Sequence, residues 1–126
     1  MLKTYLPLVF VILFLNSINA QKTYVPDDNF EQALIDLGYD DVLDDYVLTT
    51  NISGVTSLSV SSRNISDLTG IEDFKTLKVL DCVHNLLTSI DISQNTELEK
   101  LYLFVNKLLA IDLSKNTKLL ALELNG

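Results

Sequence analysis

From Leu77 onward, apolar and polar residues follow one pattern that is written twice and begun a third time. Leu77, Leu80, Cys82, Leu87, Ile90 and Ile92 are answered by Leu98, Leu101, Leu103, Leu108, Ile111 and Leu113, and then by Leu119, Leu122 and Leu124. Leu77, Leu98 and Leu119 stand 21 residues apart in turn. The links match as well, Ile90-Asp91-Ile92-Ser93-Gln94-Asn95-Thr96 against Ile111-Asp112-Leu113-Ser114-Lys115-Asn116-Thr117. Val55, Leu58 and Val60 form a degenerate earlier copy that begins 22 residues before Leu77. Residues two apart lie on one side of an extended strand. Leu80 with Cys82, and Leu101 with Leu103, therefore face inward, while Asp81 and Tyr102 face outward. A fixed period of this length predicts a stack of coils whose short strands pair into a parallel sheet. Each fully buried side chain contributes roughly 1.5–3 kcal/mol, which lets short coils outweigh their ordering entropy.

Asn85 and Asn106 fall where the chain must leave each strand and bend. Backbone groups lose their ladder partners there, and an asparagine amide offers both a donor and an acceptor. A structural ladder is thus their expected role, with ligand contact as the alternative. The equivalent place in the first copy holds Arg63, with Asn64 beside it.

Upstream, Phe30, Ala33, Leu34 and Leu37 make one helical stripe. Asp27 or Asp28 can cap its start, and Gly38 suits the left-handed position that stops a helix. The helix reads as a cover for the open end of the stack, with partner binding as the alternative. Asp40, Asp41, Asp44 and Asp45 follow. Their spacing lacks the glycine and closing glutamate of a calcium loop, so a solvated acidic turn is expected. Between Ile65 and Leu77 the link differs from the later ones: Gly70 marks a turn, and Ile71 to Phe74 suits a helical or 3₁₀ turn.

The first 20 residues change the picture of a hydrophobic chain. Lys3, the apolar run Leu6 to Leu15 and the polar stretch ending at Ala20 read as an export signal cleaved after Ala20. The apolar run is about half of the ~20 residues that span a bilayer, so stable membrane insertion of the mature chain is not expected. Net charge is −8, and residues 21–50 hold eight carboxylates against Lys22 alone. Such a surface repels nucleic acid and anionic lipid. Cys82 is the only cysteine and His84 the only histidine. Two such ligands fall short of a zinc site, and Cys82 takes the position of Leu103 in the next coil, a place for a small buried hydrophobe. Strand alternation points His84 inward, unless the bend swings it out. With no activated nucleophile and no phosphate loop, neither catalysis nor a cofactor is expected.

The outward strand positions stack into columns: Ser57, Ser59 and Ser61; Val79, Asp81 and Val83; Lys100, Tyr102 and Phe104; Ala121 and Glu123. Val83, Tyr102, Phe104 and Val105 form an apolar, aromatic patch, rimmed by Asp81, Lys100 and Glu123. Exposed aromatics within a charged rim are the makings of a contact surface.

The spacing L-x-x-L-x-L-x-x-N-x-L and the Ile/Leu-Asp-Ile/Leu-Ser-x-Asn-Thr links resemble the leucine-rich repeats of secreted and surface proteins of Bacteroidetes-type bacteria. The resemblance covers about residues 24–126 and implies an α/β solenoid. Its expected form is a right-handed superhelix with a short parallel concave sheet and a small helical N-terminal cap. Expected divisions are a signal at 1–20, a cap at 21–54 and repeats at 55–126, with coils at 55–76, 77–97, 98–118 and a partial 119–126. The sequence stops partway through a coil, as a fragment with a truncated C-terminus does. The implied role is an extracellular or cell-surface interaction module whose concave face takes a protein, with a glycan as a second partner class. A spacer or adhesion segment of a larger surface protein is the alternative; a metal- or glycan-processing enzyme is the weakest reading.

Overall fold

The computed structural model describes residues 19–124. The export signal expected at 1–20 therefore lies, apart from its last two residues, outside the described residues. Among the described residues no helix is long and apolar enough to cross a membrane.

Strand β1 (Lys22–Tyr24), helix α1 (Asp28–Asp36), strand β2 (Tyr46–Leu48) and the short helix α2 (Thr49–Ile52) come first. Then come β3 (Ser57–Ser59), a 3₁₀ turn at Ile71–Asp73, β4 (Val79–Asp81), β5 (Lys100–Tyr102) and β6 (Ala121–Glu123). β3 to β6 form a four-stranded parallel sheet in chain order. Its register places Leu58, Leu80, Leu101 and Leu122 side by side. That alignment is what the period of the leucines demands, since a slip of one residue would turn every inward side chain outward. Leu58, Leu80 and Leu101 are buried, and one core runs from Phe30 and Leu34 of α1 through the coils to Leu103.

The core thins along the chain. Leu108, Ile111 and Leu113, and already Ile90 one coil earlier, all expected on a continuous inward face, are only partly buried. Each coil's apolar face is covered by the next, and among the described residues nothing lies beyond β6 to cover that of Leu108, Ile111 and Leu113.

At the other end the chain departs from the repeat. Asp27 caps α1, accepting from the N–H groups of Asn29 and Phe30, and its second oxygen accepts from Ser66 and Asp67 in the first coil. One carboxylate thereby fixes the start of the helix and ties it to the coils. Phe30 stacks on Phe74 with centroids 6.4 Å apart. Arg63 pairs with Asp36, and that hydrogen bond holds the Asp36 carboxyl below its usual range. Leu37, expected on the apolar stripe, is exposed. The helix ends at Asp36, and Gly38 at φ +84° turns the chain before a fourth inward position can form.

Two features of this end lie outside the expectation of a simple acidic turn. β1 and β2 pair antiparallel, so the acidic segment leads into a strand. Glu31, on a helix that reads as polar at that position, is fully buried. Its carboxylate accepts from the N–H groups of Asp44, Asp45 and Tyr46 at 2.9–3.1 Å, which satisfies a bend that has no ladder partner.

Gly70 is where the two parts meet. It has φ +107°, and a Cβ there would come within 2.8 Å of Val25 Cγ2 and 2.9 Å of the Tyr24 carbonyl oxygen. Gly70→Ala is expected to destabilise by about 2 kcal/mol, lowering the Tm by roughly 10 °C. Gly54→Ala, with open space around the position, is expected to stay within about 0.5 kcal/mol. Equal thermal shifts for the two variants would contradict this close approach.

Candidate functional site

The outward face of the sheet is built from alternate residues of β3 to β6 and the residue that follows each strand's inward neighbour. For β4 and β5 these are Asp81 with Val83, two residues past the end of β4, and Tyr102 with Phe104, two residues past the end of β5. Asp81 and Tyr102 are partners in register, as are Tyr102 and Glu123, and Lys100 sits between Val79 and Ala121. Val83 and Tyr102 are half-buried, while Phe104 is 39 % exposed. Asp81 is held in place: its Oδ1 accepts from the Val83 N–H at 3.0 Å and its Oδ2 from the Ser59 hydroxyl at 3.2 Å. Phe104 lines an open hollow of about 540 Å³ with Leu122, Glu123 and Leu124.

Val105 lies past the strand, in the bend. It takes φ +54°, the region His84 (+56°) and Ser62 (+57°) occupy in the preceding coils. A β-branched residue is strained there, and Val105 is 38 % exposed. His84 shares this bend. The left-handed turn carries it outward to an exposed position, where its ring meets Phe104 edge-on at 5.5 Å. Strand alternation carries past the strand to Val83 but stops at His84, whose left-handed backbone breaks the extended geometry. His84 therefore extends the aromatic patch toward the bend.

Cys82, two residues earlier, is buried in the core, and burial pushes its thiol well above its usual range. A thiol so placed is neither nucleophile nor metal ligand. A thiol reagent is expected to leave Cys82 unmodified in the native chain and to react once denaturant unfolds it; fast native-state labelling would contradict the packing.

The bend also shows what the asparagines do. Asn85 Oδ1 accepts from the N–H groups of Arg63 (3.1 Å) and Ile65 (3.0 Å) in the preceding coil. Its Nδ2 donates to the carbonyls of Val60 (2.9 Å) and Cys82 (3.0 Å). Asn106 repeats this one coil on, accepting from Leu87 and donating to Cys82 and Leu103. Neither amide faces the outward surface.

A second ladder runs through the links. Asn95 Nδ2 donates to the carbonyls of Ile71 and Phe74, and Asn116 Nδ2 donates to those of Ile92 and Asn95. Both side chains are buried, and neither Oδ1 has a protein partner. The signal was present in the sequence: asparagine holds its place at positions 95 and 116 while Gln94 becomes Lys115 and Glu97 becomes Lys118. The self-bonded turns are present too, with Asp91 accepting from Ser93 and Asp112 from Ser114. Those bonds hold both carboxyls below their usual range.

The nearest approach to a metal-ligand set among the described residues is Asp28, Glu31 and Asp45. Glu31 is already committed to three N–H groups.

This arrangement has close counterparts. The solved functional domain of InlJ from Listeria monocytogenes superposes with a TM-score of 0.70 and 33 % identity, over 81 % of this chain and 23 % of that one. The chain is a leucine-rich-repeat solenoid. Over 73 residues, 58 % of the chain, it is 34 % identical to internalin J of Listeria monocytogenes serotype 4b (strain F2365), and spans 8 % of that protein's length. The internalin InlF of Listeria monocytogenes str. 4b F2365 shares the fold at a TM-score of 0.69 and 24 % identity, over 79 % of this chain and 30 % of that one. No protein-family profile matches the sequence. The InlJ domain includes a cysteine ladder, whereas this solenoid holds a single cysteine and joins its coils through asparagine.

Asn85→Ala orphans backbone groups of two coils inside the core, and a loss of about 3 kcal/mol is expected from urea unfolding. Asn106→Ala, at a half-exposed position, should lose about 1 kcal/mol. Equal losses would contradict the graded burial of the ladder.

Proposed function

We propose that the chain is the repeat module of a secreted or cell-surface protein and that it engages a protein partner through its concave sheet. The observation that carries this reading is the patch of Val83, Tyr102 and Phe104, extended at the bend by Val105. Asp81, Lys100 and Glu123 form its charged rim. A monomeric surface has little reason to expose an aromatic cluster on a rigid sheet unless something covers it. Rigidity favours binding too, since side chains already fixed on paired strands lose little freedom when a partner arrives. The similarity to internalin J supports the surface setting.

In this reading residues 1–20 are the export signal, 21–54 the N-terminal cap and 55–126 the right-handed superhelix of repeats. The Asp-Ile/Leu-Ser-x-Asn-Thr links are the reason to assign the repeats to the Bacteroidetes-type surface class. The module is non-catalytic, its work being recognition.

The test compares the chain with a Tyr102→Ala/Phe104→Ala variant in capture from extracellular and cell-surface protein fractions, followed by affinity measurement on each captured protein. Aromatic anchors at the centre of an interface are worth about 2 kcal/mol or more each. The double variant should therefore bind at least a hundredfold more weakly at an unchanged Tm. Equal recovery by both proteins would overturn the reading and leave a spacer.

A further inference from the structure

The antiparallel ribbon of β1 and β2 has one face in the core and one in solvent. Thr23 and Val47 are the buried side. Lys22, Tyr24, Tyr46 and Leu48 are the exposed side, with Tyr24 opposite Tyr46 and Lys22 opposite Leu48. The two tyrosines are 50 % and 44 % exposed, and their rings lie 5.4 Å apart at 44°. This is a second aromatic surface, formed by the N-terminal ribbon and not by the repeats.

Its charge says what it takes. Asp44 Oδ1 accepts from the Tyr46 N–H at 3.1 Å, so the carboxylate is fixed beside the ring by that ring's own backbone. The chain's own Lys22 ammonium already occupies this place, 6.0 Å from the centroid of Tyr46 and 3.9 Å from Asp44 Oδ2. An aromatic face with a carboxylate at its edge is a seat for a cation. Lys22 holds it weakly, since both members of that ion pair are about half exposed. The surrounding segment, 21–50, offers eight carboxylates and no other lysine or arginine.

We propose that the Tyr24–Tyr46 face is a docking surface for a lysine- or arginine-rich segment of a protein partner, whose cation displaces Lys22 from Tyr46 and Asp44. Leu48 and the ring faces cover the stem of the incoming side chain, and Asp44 receives its head. This surface is independent of the concave-sheet reading, and either can fail alone.

The test is titration of the chain with an octalysine peptide at 0.15 M salt, where diffuse attraction is screened beyond about 8 Å. Tyrosine ring signals are followed by NMR. Octalysine should shift the signals of Tyr24 and Tyr46 and leave that of Tyr102 in place. Tyr24→Ser/Tyr46→Ser, which keeps the net charge, should weaken binding at least tenfold, and Asp44→Asn at least threefold. Lys22→Met should bind more tightly than Lys115→Met, which removes the same charge elsewhere. Circular dichroism confirms that each variant stays folded, and Asp44→Asn keeps the acceptor for Tyr46 should the double variant not fold. Unchanged binding by the variants, with all tyrosines shifting alike, would overturn the proposal in favour of diffuse acidic attraction. Ring shifts produced by a neutral oligosaccharide such as cellotetraose, or by the chain's own self-association, and not by octalysine would overturn it in favour of those occupants.

Discussion

Every coil of this solenoid must turn its backbone sharply while still inside an apolar core, and that need governs the rest of the structure. Past the ends of β3, β4 and β5 the N–H groups of Val60, Cys82 and Leu103 still bond to the next coil, but the carbonyls of those same residues and the N–H groups of Ile65 and Leu87 have no backbone partner at the bends. Asn85 and Asn106 supply the missing partners on one side of the stack, and Asn95 and Asn116 on the other. Each amide reaches into the coil before it, so the bond that satisfies one bend also sets the spacing to the next. Leucine packing provides most of the stabilisation and rules out a slip of one residue, but a slip of two would keep the same face inward. The directional asparagine bonds fix the register that keeps Leu58, Leu80 and Leu101 in one column.

The first coil has no predecessor, and its residues differ accordingly. Arg63 stands where the later coils have asparagine, its N–H serving Asn85 and its guanidinium meeting Asp36 on α1. Phe74 stands where they have Asn95 and Asn116, and it meets Phe30 of α1. Thr23 Oγ1 donates to Asp73 at 2.7 Å, joining β1 to the 3₁₀ turn. Substitutions at repeat positions thus mark where helix and ribbon take the place of a coil. The same ribbon carries exposed tyrosines, so the element that closes the core also presents a surface.

Period-21 leucines, the inward and outward split of β4 and β5, the Asp27 cap, the Gly38 stop and the 3₁₀ turn at Ile71 were all legible in the sequence. Each rests on local spacing or on one residue's backbone preference. The β1–β2 ribbon was not legible, because three-residue strands carry almost no periodicity and pair across more than 20 residues. Glu31 was hidden for a related reason, since only the tertiary approach of residues 44–46 makes a helical carboxylate worth burying. On the candidate face, Val83, Tyr102 and Phe104 follow from alternation. Val105 and His84 do not, because both sit past the strand in left-handed turns that alternation cannot describe.

Native-state hydrogen exchange tests the dependence of each coil on its neighbour most directly. The N–H groups of Val60, Cys82 and Leu103 each donate to the next coil, to Asp81, Tyr102 and Glu123. Coupled stacking predicts that Val60 and Cys82 exchange only through openings near the global unfolding free energy, with Leu103 less protected at the thinner end of the core. Exchange at Val60 and Cys82 as fast as in the exposed turn at Gln94 would contradict it.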